Sequence, residues 1–452
     1  MTQLFALHSA YGLATAVAAL DGGLLGARGE RLLVPFHSSR VPETSVGIIA
    51  DPALATLRAR FDRIEDLDEL VGPLHPGSWD PEPADLPLLR RLLTRAWGLD
   101  DDLEILLQSP QVAPARTLML VFPHARITIV GDGLMTYSPM RIALPHTVTA
   151  RIGRVVHADV VTGIVPLVGS PHAEPVPVPP EAFGVVLREV ADAVAEDAAP
   201  DHTAPGDVST VLVLGQYLSA LGLVSEAEEV ALQSAMIDRA AAHDPQRIVF
   251  KPHPSAPPRL TDALRDRAAF HELEFDEYRG ALSAEMVAER LDARAVIAGF
   301  STALPTVQTV FGREIDAVGA DTVLARLSPY ENSNRVPATI VDALTRRDSP
   351  YRDPERMQLL IDAVGYVMQP GVARHLRARA EELLAAITPA DRDRYFDAER
   401  LTALRLPGAP TEGAVRRALR PAGGVGRVEE LRLTATGARR RLARAWRAIR
   451  GR

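Results

Sequence analysis

At 452 residues the chain is too long for one ordinary hydrophobic core, so two domains with additional elements are expected. Its lack of cysteine excludes a disulfide framework, a thiolate metal site and a cysteine nucleophile. The net charge of −8 hides an asymmetry: residues 416–452 carry 12 arginines against Glu429 and Glu430, a balance of +10, leaving −18 for the first 415 residues and arguing against nucleic-acid binding by the body.

The N-terminus reads as a strand, Thr2–His8, followed by a helix, Tyr11–Leu20. It has no basic leader and meets Asp21 at once, unlike a signal peptide. No apolar run is long enough to span a membrane, and a cytoplasmic location is expected. Further strands are predicted at Arg31–His37, Val46–Ala50, Leu103–Leu107 and Arg126–Val130, with a helix over Asp85–Trp97 and another extended run at Val160–Val168. The proline-rich stretch Pro171–Pro180 reads as a stiff extended connector. A second series follows, with strands at Thr210–Leu214, Arg247–Phe250, Ala295–Ala298 and Glu314–Val318. Its helices are expected at Ser225–Ala242, Leu260–Ala269, Leu282–Leu291 and Thr302–Phe311. This ordering predicts an α/β protein with two Rossmann-like domains, residues 1–180 and 181–390, and a helical basic tail over 391–452.

The chain contains 49 arginines and a single lysine, Lys251, in the segment Lys251-Pro252-His253-Pro254 at the carboxyl end of a predicted strand. Lysine is a compact point charge where arginine is a planar fork. Each proline favours extended geometry in the residue before it, which places Lys251 and His253 on one side. A cation beside a histidine suits a phosphate leaving group. A kinked loop is the plainer reading of a His-Pro pair, but the lone lysine and the strand-end position favour function. Downstream, Gly299-Phe300-Ser301-Thr302 turns from a strand into a helix, so hydroxyls and helix-start amides are available to an anion. Gln216, just past the strand Thr210–Leu214, joins this donor-side set. In the first half, Gly131-Asp132-Gly133 follows a strand; it is either an ordinary Asp-Gly turn or a carboxylate facing a cleft.

These three segments, in this order, resemble the bacterial polysialyltransferases and related bacterial sialyltransferases, over roughly residues 1–340. The resemblance implies a GT-B-like fold, with two domains facing across a cleft, and a CMP-activated nonulosonic acid donor. It also implies roles: His253 on the phosphate of the leaving CMP, Ser301 and Thr302 on the donor phosphate, and the acidic motif as the base. The first acid of that motif is Gly131 here, so either Asp132 serves as the base or activity is altered or lost. If the missing position is the true base, Gly131→Glu should raise activity.

Asparagine occurs twice, at Asn332 and Asn334, in a loop beside Arg335. The loop is either a turn or a reader of base or sugar, and Asn334 is placed with the donor-binding residues. The acidic runs Asp66-Leu67-Asp68 and Asp100-Asp101-Asp102 read as solvated surface, and neither a metal nor a cofactor is expected. In the tail, Leu442, Trp446 and Ile449 share one helical face amid arginines; this is either a helix suited to an anionic membrane surface, with a peripheral position on the inner face, or a solvated or disordered segment resting on the chain's own acidic body. The expected activity is inverting, metal-independent transfer of a sialic acid from a CMP-sugar to a hydroxyl of a glycan or glycolipid. The rivals are a CDP-glycerol-type glycerophosphotransferase and an inactive CMP-sugar-binding protein.

Overall fold

The computed structural model describes residues 1–26, 29–38, 46–197, 208–253, 256, 258–280 and 282–409. The basic tail and its Leu442/Trp446/Ile449 face lie outside the described residues. The first half is built on seven parallel strands: β1 (Thr2–Leu7), β2 (Glu30–Pro35), β3 (Arg63–Ile64), β4 (Leu103–Leu107), β5 (Arg126–Val130), β6 (Ile152–Ala158) and β7 (Glu174–Val178). Their order is β3-β2-β1-β4-β5-β6-β7. The second half has five parallel strands: β8 (Thr210–Leu214), β9 (Arg247–Lys251), β10 (Glu274–Glu277), β11 (Ala295–Ala298) and β12 (Glu314–Ala317), in the order β10-β9-β8-β11-β12. Central strands such as Leu103–Leu107, Thr210–Leu214 and Ala295–Ala298 are buried at every residue. That is why they read as nearly continuous apolar runs, interrupted by a buried residue such as Glu104, and not as alternating ones.

Three hydrophobic clusters organise these layers. One lies on the outer face of each sheet, behind residues such as Trp97 and Met119 in the first half and Ile237 and Leu264 in the second. The third runs without a break from the first half through the second and into the C-terminal helices, joining Leu13, Val161, Leu304, Val336 and Val364. The helix Ala10–Asp21 enters this shared core on alanines, with Gly12 to Leu20 buried throughout. Small side chains there let backbones approach closely. Each fully buried leucine or valine in such a core contributes about 1.5–3 kcal/mol. Two Rossmann-like halves facing each other in this way form a GT-B-like arrangement, with helices following the second sheet.

The structure corrects three expectations. Val46–Ala50 is a turn, although Ile48 is buried. Val160–Val168 is a loop whose Val160, Val161 and Ile164 plug the core between the halves, and the strand is Ile152–Ala158 just before it. The proline stretch is itself an edge strand, β7, paired only with β6. Pro175 and Pro177 alternate with Glu174, Val176 and Val178. Both prolines therefore face away from β6, where their missing N–H groups leave no gap in the ladder. The first half then passes to the second through the helix Pro180–Asp197.

Candidate active site

In each sheet the strand order reverses at one point, and the crevice outside the carboxyl ends of the two strands flanking it is where open α/β sheets bind ligands. In the first sheet that point lies between β1 and β4. His8 and Ser9 follow β1, Gln108 and Ser109 follow β4, and Gly131 and Asp132 follow β5. Gln108 is fully buried and ties these loops together. Its Oε1 accepts from the His8 amide at 2.9 Å and the Ser9 amide at 3.3 Å, and its Nε2 donates to Ser9 Oγ at 3.0 Å. Ser9 Oγ also accepts from the Gly12 amide at 3.0 Å, capping the helix Ala10–Asp21, and donates to Asp132 Oδ1 at 3.2 Å. Residue 12 has to be glycine for this to exist, because a Cβ there would lie 2.1 Å from Gln108 Nε2. Asp132 is half-buried, and its amide donates to Thr136 Oγ1 at 2.8 Å. One carboxylate oxygen is thus oriented, while among the described residues Oδ2 accepts no hydrogen bond, a geometry suited to taking up a proton.

Ser109 brings a second polar group to this crevice. It holds a left-handed backbone, φ 53°, at a cost of roughly 1–2 kcal/mol for a residue other than glycine. From there its Oγ lies 3.0 Å from His8 Nε2.

Gly131 has no room for the acid that the sequence comparison with sialyltransferases calls for. A Cβ on Gly131 would lie 2.7 Å from Thr136 Oγ1 and 3.0 Å from His157 Cβ, and both neighbours are buried. His157 packs edge-on to Tyr137 at 6.0 Å, and burial pushes its pKa down to about 4, so it is neutral at pH 7. Restoring activity with Gly131→Glu is therefore no longer expected. Gly131→Glu should lower stability by about 1–3 kcal/mol, as overpacking does, and leave activity no higher than in the parent. Urea unfolding together with a transfer assay checks both parts.

In the second sheet the strand order reverses between β8 and β11. Lys251 ends β9, its carbonyl accepting from the Gly215 amide at 2.8 Å. Its Nζ lies 4.9 Å from the centroid of the Tyr278 ring. Burial lowers its pKa, and the nearby Glu285 carboxylate opposes that shift. His253 is exposed two residues further on, and its carbonyl accepts from the Ala256 amide at 2.9 Å. Past β11, the Phe300 amide donates to Gln216 Oε1 at 2.7 Å. Gln216, itself held by Gln233 Nε2 on its carbonyl at 3.0 Å, therefore supports the Gly299–Phe300 turn from behind. A buried glutamine tying the loops at the first crossover, and a half-buried one doing so at the second, make a parallel between the two halves. Ser301 Oγ accepts from the Ala303 amide at 3.3 Å, whereas Thr302 immediately precedes the helix Ala303–Phe311 without a side-chain cap.

The asparagine loop is built mainly for packing. Arg335 is 5% exposed and donates to the carbonyls of Tyr330, Leu324 and Leu327, so it does not present its charge to a ligand. Asn332 Oδ1 accepts from the Asn334 amide at 3.0 Å, and Asn334 starts the helix Arg335–Thr345 without capping it. The neighbouring Ser333 touches the first half: its carbonyl accepts from Ser138 Oγ at 3.1 Å and its Oγ from Arg141 at 2.7 Å.

The two crevices face each other. Thr309 Oγ1 in the second half donates to the Val160 carbonyl in the first at 2.9 Å. Tyr11, one residue into the helix that Ser9 caps, packs against Phe183 with ring centroids 5.0 Å apart. Burial, then Tyr137, push its phenol up, while Thr306 across the cleft acts in the opposite sense. Glu285 is within electrostatic reach of both Tyr11 and Lys251. Asp132, Tyr11, Glu285 and Lys251 therefore belong to one cleft. Sequence reasoning found Asp132 and Lys251 but missed His8, Gln108, Ser109 and Glu285, polar residues with no unusual spacing around them. Among the described residues no three His, Asp or Glu side chains gather as metal ligands, and no helix is long and apolar enough to cross a membrane.

A groove of about 700 Å³ lies elsewhere, along the edge strand β12. Three of its arginines are tied to acids, Arg239 to Asp316 at 3.1 Å, Arg346 to Asp391 at 2.8 Å and Arg394 to Asp342 at 2.5 Å.

A sequence profile described as Alpha-2,8-polysialyltransferase (POLYST) matches residues 3–314. No curated protein sequence matches significantly. Among solved structures, the GT-B domain of a sialyltransferase from Photobacterium damselae is similar at 11% identity, covering 76% of this chain and 96% of that one, with a TM-score of 0.39. A glycosyltransferase from Rickettsia africae is similar at 12% identity, 85% and 99% coverage and a TM-score of 0.38. A UDP-GlcNAc 2-epimerase from Neisseria meningitidis bound to UDP-GlcNAc is similar at 10% identity, 85% and 99% coverage and a TM-score of 0.39.

Proposed function

Because this chain belongs to the alpha-2,8-polysialyltransferase family, we propose that this glycosyltransferase moves a sialic (nonulosonic) acid from a CMP-activated donor to a glycan hydroxyl, with inversion and without a metal ion. The observation that carries the reading is the facing of two crevices: an oriented carboxylate, Asp132, on one side, and Lys251, His253 and the Ser301 turn on the other. As the acceptor oxygen bonds to the anomeric carbon, its proton passes to the Asp132 carboxylate. The bond from that carbon to the CMP phosphate oxygen breaks, and the electron pair leaves with CMP. Lys251, His253 and the amides opening the helix Ala303–Phe311 stabilise the charge on that phosphate, which a metal ion would otherwise neutralise. Attack on the face opposite the phosphate inverts the anomeric centre. Ser301, Thr302, Gly299 and Asn334 complete the donor side, with Gln216 holding the turn. The acceptor is a glycan or glycolipid, and the enzyme works on the cytoplasmic side, the basic tail resting on an anionic membrane.

The filled space beside Gly131 favours one competing reading, an inactive protein that binds CMP-sugars. Thermal-shift measurements with CMP, CDP, UDP and GDP test the nucleotide first. CMP should stabilise the protein most, by about 2.7 kcal/mol at a hundredfold excess over its dissociation constant. Preference for UDP or GDP would overturn the reading. CMP binding without release of CMP from CMP-sialic acid would select the inactive protein.

A further inference from the structure

The reaction above leaves two side chains at the first crossover unused, His8 and Ser109. His8 directly follows β1, Ser109 lies two residues past β4, and both are half-buried at the crevice. Ser109 Oγ is 3.0 Å from His8 Nε2, the reach that relates a nucleophile to its base. Both partners are held in place. The His8 amide donates to Gln108 Oε1 at 2.9 Å, and the buried Phe36 packs against the imidazole with centroids 5.4 Å apart. Ser109 follows that same glutamine and keeps φ at 53°, a region where glycine sits without strain and serine does not. The chain turns at once, the Val112 amide donating to the Ser109 carbonyl at 3.2 Å, before the helix Ala115–Val121. A strained serine on a sharp turn after a central strand, with its hydroxyl on a histidine, is how a fold presents a serine nucleophile. Among the described residues the Ser109 and Gln111 amides donate to no protein acceptor, so they are at hand for a developing oxyanion. Burial holds the imidazole below its ordinary value, which leaves it neutral at pH 7 and able to take a proton.

We propose that Ser109 and His8 form a nucleophile–base pair that hydrolyses a small acyl ester carried on a sugar hydroxyl. The sugar rests on the reaction proposed above, which puts a glycan in this crevice; the pair itself does not. Ser109 Oγ bonds to the ester carbonyl carbon while His8 Nε2 takes the hydroxyl proton. The bond from that carbon to the sugar oxygen then breaks, and Nε2 returns the proton to the departing oxygen. Water is the second reactant. It attacks the acyl-serine as Nε2 takes one of its protons, the bond from the acyl carbon to Oγ breaks, and Oγ regains the proton as the carboxylic acid leaves. The other product is a free sugar hydroxyl, the group that sialyl transfer consumes.

The purified full chain is treated with a fluorophosphonate probe, and the modified residue is located by peptide mass spectrometry. In parallel, release of acetate from 9-O-acetyl-N-acetylneuraminic acid is followed for the parent, Ser109→Ala and His8→Gln. Ser109 should carry the label, and each variant should lose roughly 10²-fold or more of the parent's rate. A label absent from Ser109, or acetate release that is missing in the parent or unchanged in Ser109→Ala, overturns the proposal. Ser109→Gly separates chemistry from folding, because glycine suits the left-handed backbone. It should unfold at a temperature no lower than the parent and still release no acetate, whereas a serine that served only the turn would leave the rate unchanged and overturn the proposal. If Ser109→Ala or His8→Gln does not fold, the label and Ser109→Gly decide. CMP release from CMP-N-acetylneuraminic acid is measured on the same parent protein. Acetate release at Ser109 without CMP release would sink the sialyl-transfer reading and leave the pair standing.

Discussion

Asp132→Asn should lower sialyl transfer by about 10²–10⁴-fold, the usual effect of removing a general base, while CMP affinity stays within about twofold. The substitution is nearly isosteric, and the amide oxygen can still accept from Ser9 Oγ, which now meets Asp132 Oδ1 at 3.2 Å. The Asp132 amide would keep its bond to Thr136 Oγ1. Only the capacity to accept a proton is lost. The nucleotide is assigned to the opposite side of the cleft, so its binding has no reason to change. Calorimetry with CMP alongside initial rates separates the two quantities. An equal loss in both would mean that Asp132 supports the fold of the crevice and not the proton transfer.

His253→Ala should lower turnover by roughly 10²-fold, corresponding to ~3 kcal/mol for one preorganised donor, and weaken CMP binding far less. Stabilisation of a leaving phosphate grows as the bond to it breaks, so it belongs to the transition state. His253 is exposed two residues beyond the end of β9. An alanine there removes no core packing, and stability should remain close to that of the parent. Lys251→Arg is the companion variant. The ammonium lies 4.9 Å from the Tyr278 ring centroid in a half-buried position, where a larger planar guanidinium has a different reach and fork. It should reduce turnover although the charge is retained. Full activity in both variants would remove this segment from the mechanism.

The strands that end at the two crossover points were legible because they are central. β1, β4, β8 and β11 are covered on both faces, so each appears as a largely apolar run, broken only by residues such as Gln3 and Glu104, ending in a polar or glycine-rich turn. Toward the edge the signal fails. β6 carries Arg154, which reaches across to Glu104 at 2.6 Å, and the buried His157, so its composition resembles a loop. β7 carries prolines that only an edge strand tolerates. The apolar Val160–Val168 misled in the opposite direction, since Val160, Val161 and Ile164 are buried between the halves and not within a sheet.

The site shows the same division. Lys251 stood out by its rarity and Asp132 by its glycine neighbours. Gln108 did not, because a glutamine after a strand carries no local pattern. Its importance comes from contacts about a hundred residues away in sequence, to the His8 and Ser9 amides. Gly12 is informative only once Gln108 is seen against it. The position of Gly131 was read from the motif as a missing acid. The packing of Thr136 and His157 adds that no acid fits there.

The central claim is the donor. Incubation of the purified full chain with CMP-N-acetylneuraminic acid and a sialylated glycan acceptor, with chelator present, should release CMP and lengthen the glycan. CDP-glycerol under the same conditions should remain intact. Turnover of CDP-glycerol in place of the sialyl donor, or no release of CMP by a folded protein that binds it, would contradict the account.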